Sequence, residues 1–253
     1  MPTATEMKGK AALVTGAASG LGRGTALALG RAGADVLIAD VNPTGLEETA
    51  GLLRDLGVKA EVYAADLTAA ANCRAAVARA VEVFGRLDAL CNVAGIIHFA
   101  NTPEMPEEDW AKTLAINLSA PFFLIQAAIP HLLEVNGAVV NVSSTAAFVG
   151  EAYAGAYCAS KAGLNQLTKS LAMEYVHKPI RFNAVAPGGM MTNIAANMKF
   201  PADLDRSLIA RFSGLRGLVE VDDVAEMVAF LASPAASGYH GACITIDKGI
   251  TAG

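Results

Sequence analysis

The stretch Lys10–Asp40, KAALVTGAASGLGRGTALALGRAGADVLIAD, holds the fold in the order of its residue types. Lys10–Thr15 is a short apolar run that suits a buried strand. Gly16–Gly24 is a glycine-rich turn, and Thr25–Arg31 is helical with Gly33 as its stop. Asp35–Asp40 is a second apolar run. Strand, turn, helix and strand within about thirty residues make one βαβ unit. Strands that are apolar throughout, rather than alternating, suit a parallel sheet covered on both faces.

Working outward, the same alternation continues. The patterning predicts helices at Thr44–Leu56, Ala69–Phe84, Glu107–Leu133, Ala154–Val176 and Val221–Ala232. It predicts strands at Lys59–Ala65, Leu87–Val93, Gly137–Ser143, Ile180–Ala186 and Ala242–Ile246. Pro121 and Pro130 mark bends or boundaries in the long fourth helix. No proline- or glycine-rich linker interrupts the series. The expectation is one α/β domain over residues 1–253, a Rossmann-type doubly wound, parallel seven-stranded sheet flanked by helices. Segment 188–217 departs from the alternation. It opens on Gly188-Gly189 and carries Met190, Met191, Met198, Phe200 and Phe212, so it is expected to be a mobile lid over a substrate.

Composition narrows the function classes. Hydrophobic residues are 53% of the chain and charged residues 17%, which excludes a disordered protein. A net charge of −5 argues against nucleic acid, which wants a basic surface. No apolar run reaches the ~18–20 residues of a bilayer span, and the N-terminus has no leader pattern, so a cytoplasmic protein without a membrane partner is expected. Cys73, Cys91, Cys158 and Cys243 form no C-x-x-C pair and are expected to be reduced. The four histidines have no ligand spacing, so no metal site is expected.

The turn Thr15-Gly16-Ala17-Ala18-Ser19-Gly20-Leu21-Gly22 lies between a strand and a helix. A helix N-terminus offers unpaired N–H groups and partial positive charge, a seat for a pyrophosphate, and missing Cβ atoms let the backbone approach it. Gly16, Ser19, Gly20, Leu21 and Gly22 are the candidate cradle. Asp40 closes the second strand 24 residues after Gly16. Its carboxylate can accept hydrogen bonds from ribose hydroxyls and would repel a 2′-phosphate. Neither Ser19 nor Val41 is a cation that could clamp such a phosphate, so NAD is the expected cofactor. Arg23, beyond the turn, reads as structural.

At Tyr157-Cys158-Ala159-Ser160-Lys161 the chain resembles the short-chain dehydrogenase/reductase family of about 250 residues. The resemblance runs nearly the whole length, in order. Thr15–Gly22 is similar to the family's nucleotide turn, Asp66-Leu67 to the segment whose acidic residue holds the adenine, and Asn92-Val93-Ala94-Gly95 to its N-N-A-G segment. Asn117, Ser144, Tyr157 and Lys161 match its catalytic set. Pro187-Gly188, Met190 and Thr192 match the segment at the nicotinamide end. The resemblance implies exchange of hydride between a nicotinamide and a secondary alcohol or ketone, with Tyr157 as acid/base. It also implies an Asn117-anchored water path from Lys161, and a homotetramer built on the two long helices and the last strand.

The residue types suit that chemistry. A tyrosine starts near pKa 10, and a lysine four residues on shares its helix face and is expected to lower that value. Ser144 can steady the substrate oxygen as charge develops on it. Asp66 is also expected to cap the Ala69–Phe84 helix. Val93 stands where the family has asparagine, and Lys248 where it has the first glycine of D-G-G. Pocket candidates are Ile96, His98, Thr145, Ala146, Phe148, Tyr153, Gly189, Met190 and the Met191–Phe212 segment. They are mostly apolar, which suits a steroid, cyclic or other small alcohol; Arg206, Arg211 or Arg216 could swing in from the lid. His98 reads as a surface residue. The alternatives are a 3-oxoacyl carrier-protein reductase, which resembles this pattern but usually takes NADPH, and a non-catalytic nucleotide-binding scaffold. Enoyl reduction is disfavoured because enoyl reductases of this fold space tyrosine and lysine differently.

Overall fold

The computed structural model describes residues 5–192, 199–209, 214 and 216–252; Met198, Arg211 and Phe212 lie outside the described residues. Seven parallel strands form one sheet: β1 (Ala11–Thr15), β2 (Asp35–Asp40), β3 (Ala60–Ala64), β4 (Ala89–Asn92), β5 (Gly137–Val142), β6 (Ile180–Pro187) and β7 (Cys243–Ile246). Their order is β3-β2-β1-β4-β5-β6-β7, so the chain reverses its direction of growth between β1 and β4. A doubly wound sheet opens a crevice at that point, outside the carboxyl ends of its strands. The helices are α1 (Gly20–Arg31), α2 (Pro43–Asp55), α3 (Ala70–Phe84), α4 (Glu107–Leu114), α5 (Ala120–Glu134), α6 (Gly155–Glu174) and α7 (Val221–Ala232), with shorter helical turns between.

Successive strand residues feed opposite layers. In β1, Ala12 and Val14 pack with α1, α2 and α7, whereas Leu13 packs with α3, α5 and α6. Leu13 stands in register with Leu37 of β2 and Leu90 of β4, all fully buried. This double cover is why the strands are apolar without alternation.

The expected Glu107–Leu133 helix is one run with a defect. A π-helical turn, Ala115–Ser119, separates α4 from α5, and Pro121 starts α5 while Pro130 lies inside it. Against the sequence reading, the 28-residue run Glu107–Glu134 holds an 18-residue window of mean hydropathy 1.4, enough by length and composition alone to cross a membrane. In the fold, Leu124, Ile125, Ala128 and Leu132 on its inner face are core.

At the amino ends of the strands, Asp88 ties the sheet's centre. It accepts the Ala11 N–H at 2.9 Å and a two-pronged Arg86 guanidinium at 2.7 Å for each prong. A buried N–H left without its acceptor costs about 1–3 kcal/mol. Asp88→Ala is therefore expected to lower unfolding free energy by about 2–3 kcal/mol, since the ion pair goes as well. Urea denaturation measures this, and a loss under about 0.5 kcal/mol would refute the role.

Candidate active site

The β1–α1 turn shapes one end of the crevice. Gly16 has φ +69°, and a Cβ on it would come 2.8 Å from Ala94 Cα. At Gly22 a Cβ would lie 2.0 Å from Gly16 O. Only glycine permits this closure, which brings the first turn of α1 to the cleft. Ser19 is the N-cap, yet its side chain makes no capping bond, and the first turn holds no acidic residue. The helix therefore presents uncapped N–H groups and partial positive charge beside Ser19, Gly20, Leu21 and Gly22, all on the cleft wall. That end fits a pyrophosphate.

Asp40 is set where expected. Its Oδ2 accepts the Ala18 N–H at 3.2 Å and its Oδ1 the Asn42 N–H at 3.0 Å, while the residue lines the cleft beside Val41. Arg23 is structural, as read. Its guanidinium serves Thr49 Oγ1, the Ala18 and Gly45 carbonyls and Glu48. Among the described residues, the cleft wall carries one cation, Lys161. Asp66 and Leu67 also line the cleft. Asp66 does not cap α3: its Oδ1 accepts the Thr68 N–H at 2.9 Å, and this contact holds its carboxyl below the usual range. The N-cap of α3 is Ala69, which has no side chain to cap with.

The opposite end holds the Tyr–Lys pair. Tyr157 and Lys161 stand one turn apart on α6, with Lys161 Nζ 5.7 Å from the tyrosine ring centroid. Lys161 is buried, and Nζ donates to the Val142 carbonyl at 2.8 Å. Ser144, just beyond β5, bonds the Tyr157 phenol through its side chain, which favours ionisation. Ser143, its rival by position, donates instead to the Lys161 carbonyl at 3.2 Å.

The expected lowering of the phenol's pKa is not found. Burial pushes Tyr157 up to about 12, and the charge of nearby Glu151 adds to the rise. Burial also pushes Lys161 down to about 8. Desolvation is the largest cause of both shifts, and the lysine Nζ spends a hydrogen bond on the Val142 carbonyl. Near neutral pH the phenol carries its proton and is poised to donate it.

Ala94, Gly95, Pro187, Gly188, Met190 and Thr192 line the cleft between the two ends. Two expected site residues stand behind the wall. Asn92 is buried, and its Nδ2 donates to Asn141 Oδ1 at 2.8 Å, which ties β4 to β5. Asn117 is fully buried in the π-helical turn. Its amide clasps both backbone groups of Ile96 at 2.9 Å and donates to Ser160 Oγ at 3.0 Å. In this geometry Asn117 is a positioning residue for the Ile96 wall and α6.

Several pocket candidates fall elsewhere. Thr145 and Ala146 are buried, Phe148 is exposed, and Met191 is 71% exposed; none lines the cleft, nor does Gly189. His98 is structural, with Nδ1 3.1 Å from Thr113 Oγ1 and Nε2 3.8 Å from Asp109. Ile96 does line the cleft, as do Val142, Ser143 and Ile116, which sequence reasoning did not assign there. Val142 and Ser143 end a strand, where ligands of such sheets sit, and could have been found on that ground. Ile116 had no signal, because the π turn that aims it is invisible in the pattern. Lys248 takes φ 50°, a conformation glycine adopts freely, so the replaced glycine of D-G-G is felt as backbone strain. All four cysteines are free thiols. No cluster of metal-ligating side chains occurs among the described residues.

Comparison with known proteins agrees with this geometry. Residues 16–251 match a family model described as enoyl-(acyl carrier protein) reductase. A 2,5-dichloro-2,5-cyclohexadiene-1,4-diol dehydrogenase of Sphingobium indicum is 38% identical over 251 residues, covering 99% of each chain. A cis-4-hydroxycyclohexanecarboxylate dehydrogenase of Sinomonas cyclohexanicum is 40% identical, covering 96% of this chain and 97% of its own. The crystal structure of a short chain dehydrogenase from Burkholderia cenocepacia in complex with NADP superposes with a TM-score of 0.88 at 33% identity, covering 97% of this chain and 99% of its own. With the nucleotide turn, the Tyr–Lys pair and the doubly wound sheet in one crevice, the chain belongs to the short-chain dehydrogenase/reductase family of oxidoreductases.

Proposed function

We propose that this protein is an NAD(H)-dependent oxidoreductase that interconverts a small, mainly apolar cyclic secondary alcohol and its ketone. One observation carries the reading. The uncapped α1 N-terminus with Asp40 at one end of the cleft, and the Ser144–Tyr157–Lys161 group at the other, share one wall. Relatives that act on ring alcohols support the substrate class.

The chain's own residues divide the work. The α1 turn holds the pyrophosphate, Asp40 the adenosine ribose, Asp66 and Leu67 the adenine side, and Pro187, Gly188, Met190 and Thr192 the nicotinamide end. The nicotinamide, when bound, supplies or accepts the hydride. Tyr157 passes a proton at its phenol oxygen to or from the substrate oxygen. Ser144 donates a hydrogen bond where negative charge gathers. Lys161 supplies positive charge beneath the ring. The enoyl reductase description is not taken over, because Tyr157 and Lys161 stand four residues apart, the spacing tied above to alcohol–ketone exchange. Exposed apolar side chains on α5 and α6, Phe122 and Met173 among them, favour a homotetramer of about four times 25.9 kDa.

The test is a fluorescence titration with NADH and with NADPH. Asp40 and the committed Arg23 predict NADH binding at least about tenfold tighter, a difference of ~1.4 kcal/mol. Preference for NADPH would favour the second reading, a 3-oxoacyl carrier-protein reductase, for which the NADP-bound neighbour is the supporting observation. Binding of neither nucleotide would sink the oxidoreductase reading.

A further inference from the structure

One peptide plane joins α2 to the end of the cleft where Asp40 lies. The Ala17–Ala18 peptide is flat and trans, so its C=O and N–H point opposite ways. On one side the Ala17 carbonyl accepts the Thr49 hydroxyl of α2 at 2.8 Å. On the other the Ala18 N–H donates to Asp40 Oδ2 at 3.2 Å. Thr49 Oγ1 in turn accepts the Arg23 Nε–H of α1 at 2.9 Å. Thr49 and Ala17 are fully buried, and Ala18 nearly so.

The direction of this chain follows from the groups in it. A guanidinium nitrogen only donates, so Thr49 accepts from Arg23. Its single hydroxyl proton is left for the carbonyls of Ala17 and, at 3.0 Å, Gly45. The shorter contact is the one to Ala17. Hydrogen bonds that run in one sense polarise one another, and here they start on a cation and end on a carboxylate. The guanidinium is itself held, by the Ala18 carbonyl and by Glu48, each at 2.7 Å. A Cβ on Gly45 would come 2.7 Å from Ala18 O, so α2 packs hard against this peptide. The other oxygen of Asp40, Oδ1, accepts the Asn42 N–H at 3.0 Å. Each carboxylate oxygen can take two hydrogen bonds, so one place on each remains for a ribose hydroxyl.

We infer that Thr49 is a positioning residue for nucleotide selectivity. Through the Ala17–Ala18 peptide it holds the Asp40 carboxylate in the pose that accepts an unsubstituted ribose, with Arg23 orienting its hydroxyl. Neither Thr49 nor Arg23 lines the cleft. This deepens the proposed function and rests on its reading of Asp40.

Thr49→Val keeps the branched shape and removes the hydroxyl. Fluorescence titration is expected to show NADH binding about fivefold weaker, the factor for about one hydrogen bond, with NADPH within twofold. Thr49→Ser retains the hydroxyl and is expected to bind both nucleotides as the native protein does. In an Asp40→Ala background, Thr49→Val is expected to change NADH affinity by less than twofold, because it acts through that carboxylate. If Thr49→Val does not fold, Arg23→Met tests the chain from its other end. Loss of the cation's field alone would weaken NADPH more, whereas loss of the chain weakens NADH more. Equal weakening of both nucleotides, a Thr49→Ser variant as impaired as Thr49→Val, or an undiminished effect without Asp40 would each overturn the inference. A native protein that prefers NADPH would fail the Asp40 reading, while the effect of Thr49→Val on NADH, with and without Asp40, still decides whether Thr49 acts through it. Binding of neither nucleotide would overturn both.

Discussion

Tyr157→Phe is expected to abolish turnover, by about 10³-fold or more, while NADH affinity stays within about twofold of native. A positioned proton donor contributes typically 10²–10⁴-fold, and here a single side chain is proposed for that role. The phenol's raised pKa, about 12, keeps it protonated at neutral pH, so ketone reduction starts with its acid in place. Alcohol oxidation needs the phenolate. Its rate is therefore expected to rise with pH, since the ionised fraction grows tenfold per unit below the pKa. Phenylalanine retains the ring over Lys161 and leaves the α1 turn and Asp40 untouched, so binding and chemistry separate cleanly. Single-turnover rates and NADH fluorescence titration on the one variant measure both. A variant that kept more than about a tenth of native turnover would show that another group moves the proton.

Much of this arrangement could be read before any coordinates. Asp35–Asp40 and Val221–Ala232 fall at the bounds their patterns predict, because a strand covered on both faces and an amphipathic helix each leave an unambiguous period. The site was legible for a related reason. Ligands of a doubly wound sheet meet the carboxyl ends of the strands, and Asp40, Asp66, Ser144 and Pro187 stand at or just past such ends.

What stayed hidden depends on packing between distant residues. The π turn at Asn117 is fixed by its clasp on Ile96 and Ser160, each remote in sequence. Asn92 sits in a motif that touches the cleft, yet it faces Asn141 across the sheet. A helix-face argument put a cation beside Tyr157 correctly but gave the wrong sign for its pKa. Spacing along a helix shows which groups are neighbours, not how much water the fold removes from them. The left-handed backbone of Tyr153, with φ 65°, has no sequence signature at all.

The lysine's burial yields a second large effect of opposite sign on stability and on rate. Lys161→Met is expected to cost about 10³-fold in turnover and yet to stabilise the fold at pH 7. Burial lowers this lysine from 10.5 to about 8. Below about pH 8 both folded and unfolded chains carry the charge, and the folded state bears the full cost of desolvating it. Between about 8 and 10.5 the folded chain releases the proton and the unfolded chain keeps it, so native stability rises with pH across that window. A depression of that size corresponds to ~3 kcal/mol at 1.36 kcal/mol per unit. Methionine fills a similar volume without the charge but leaves the Val142 carbonyl without its donor, which costs about 1 kcal/mol. The net expectation is a gain of about 2 kcal/mol at pH 7 that shrinks as pH approaches 10.5, measured by urea denaturation across pH. A loss of stability at pH 7, constant with pH, would instead make Lys161 a structural strut holding Val142. The expected pairing of lost activity with gained stability is the mark of a charge kept buried for its field at the phenol.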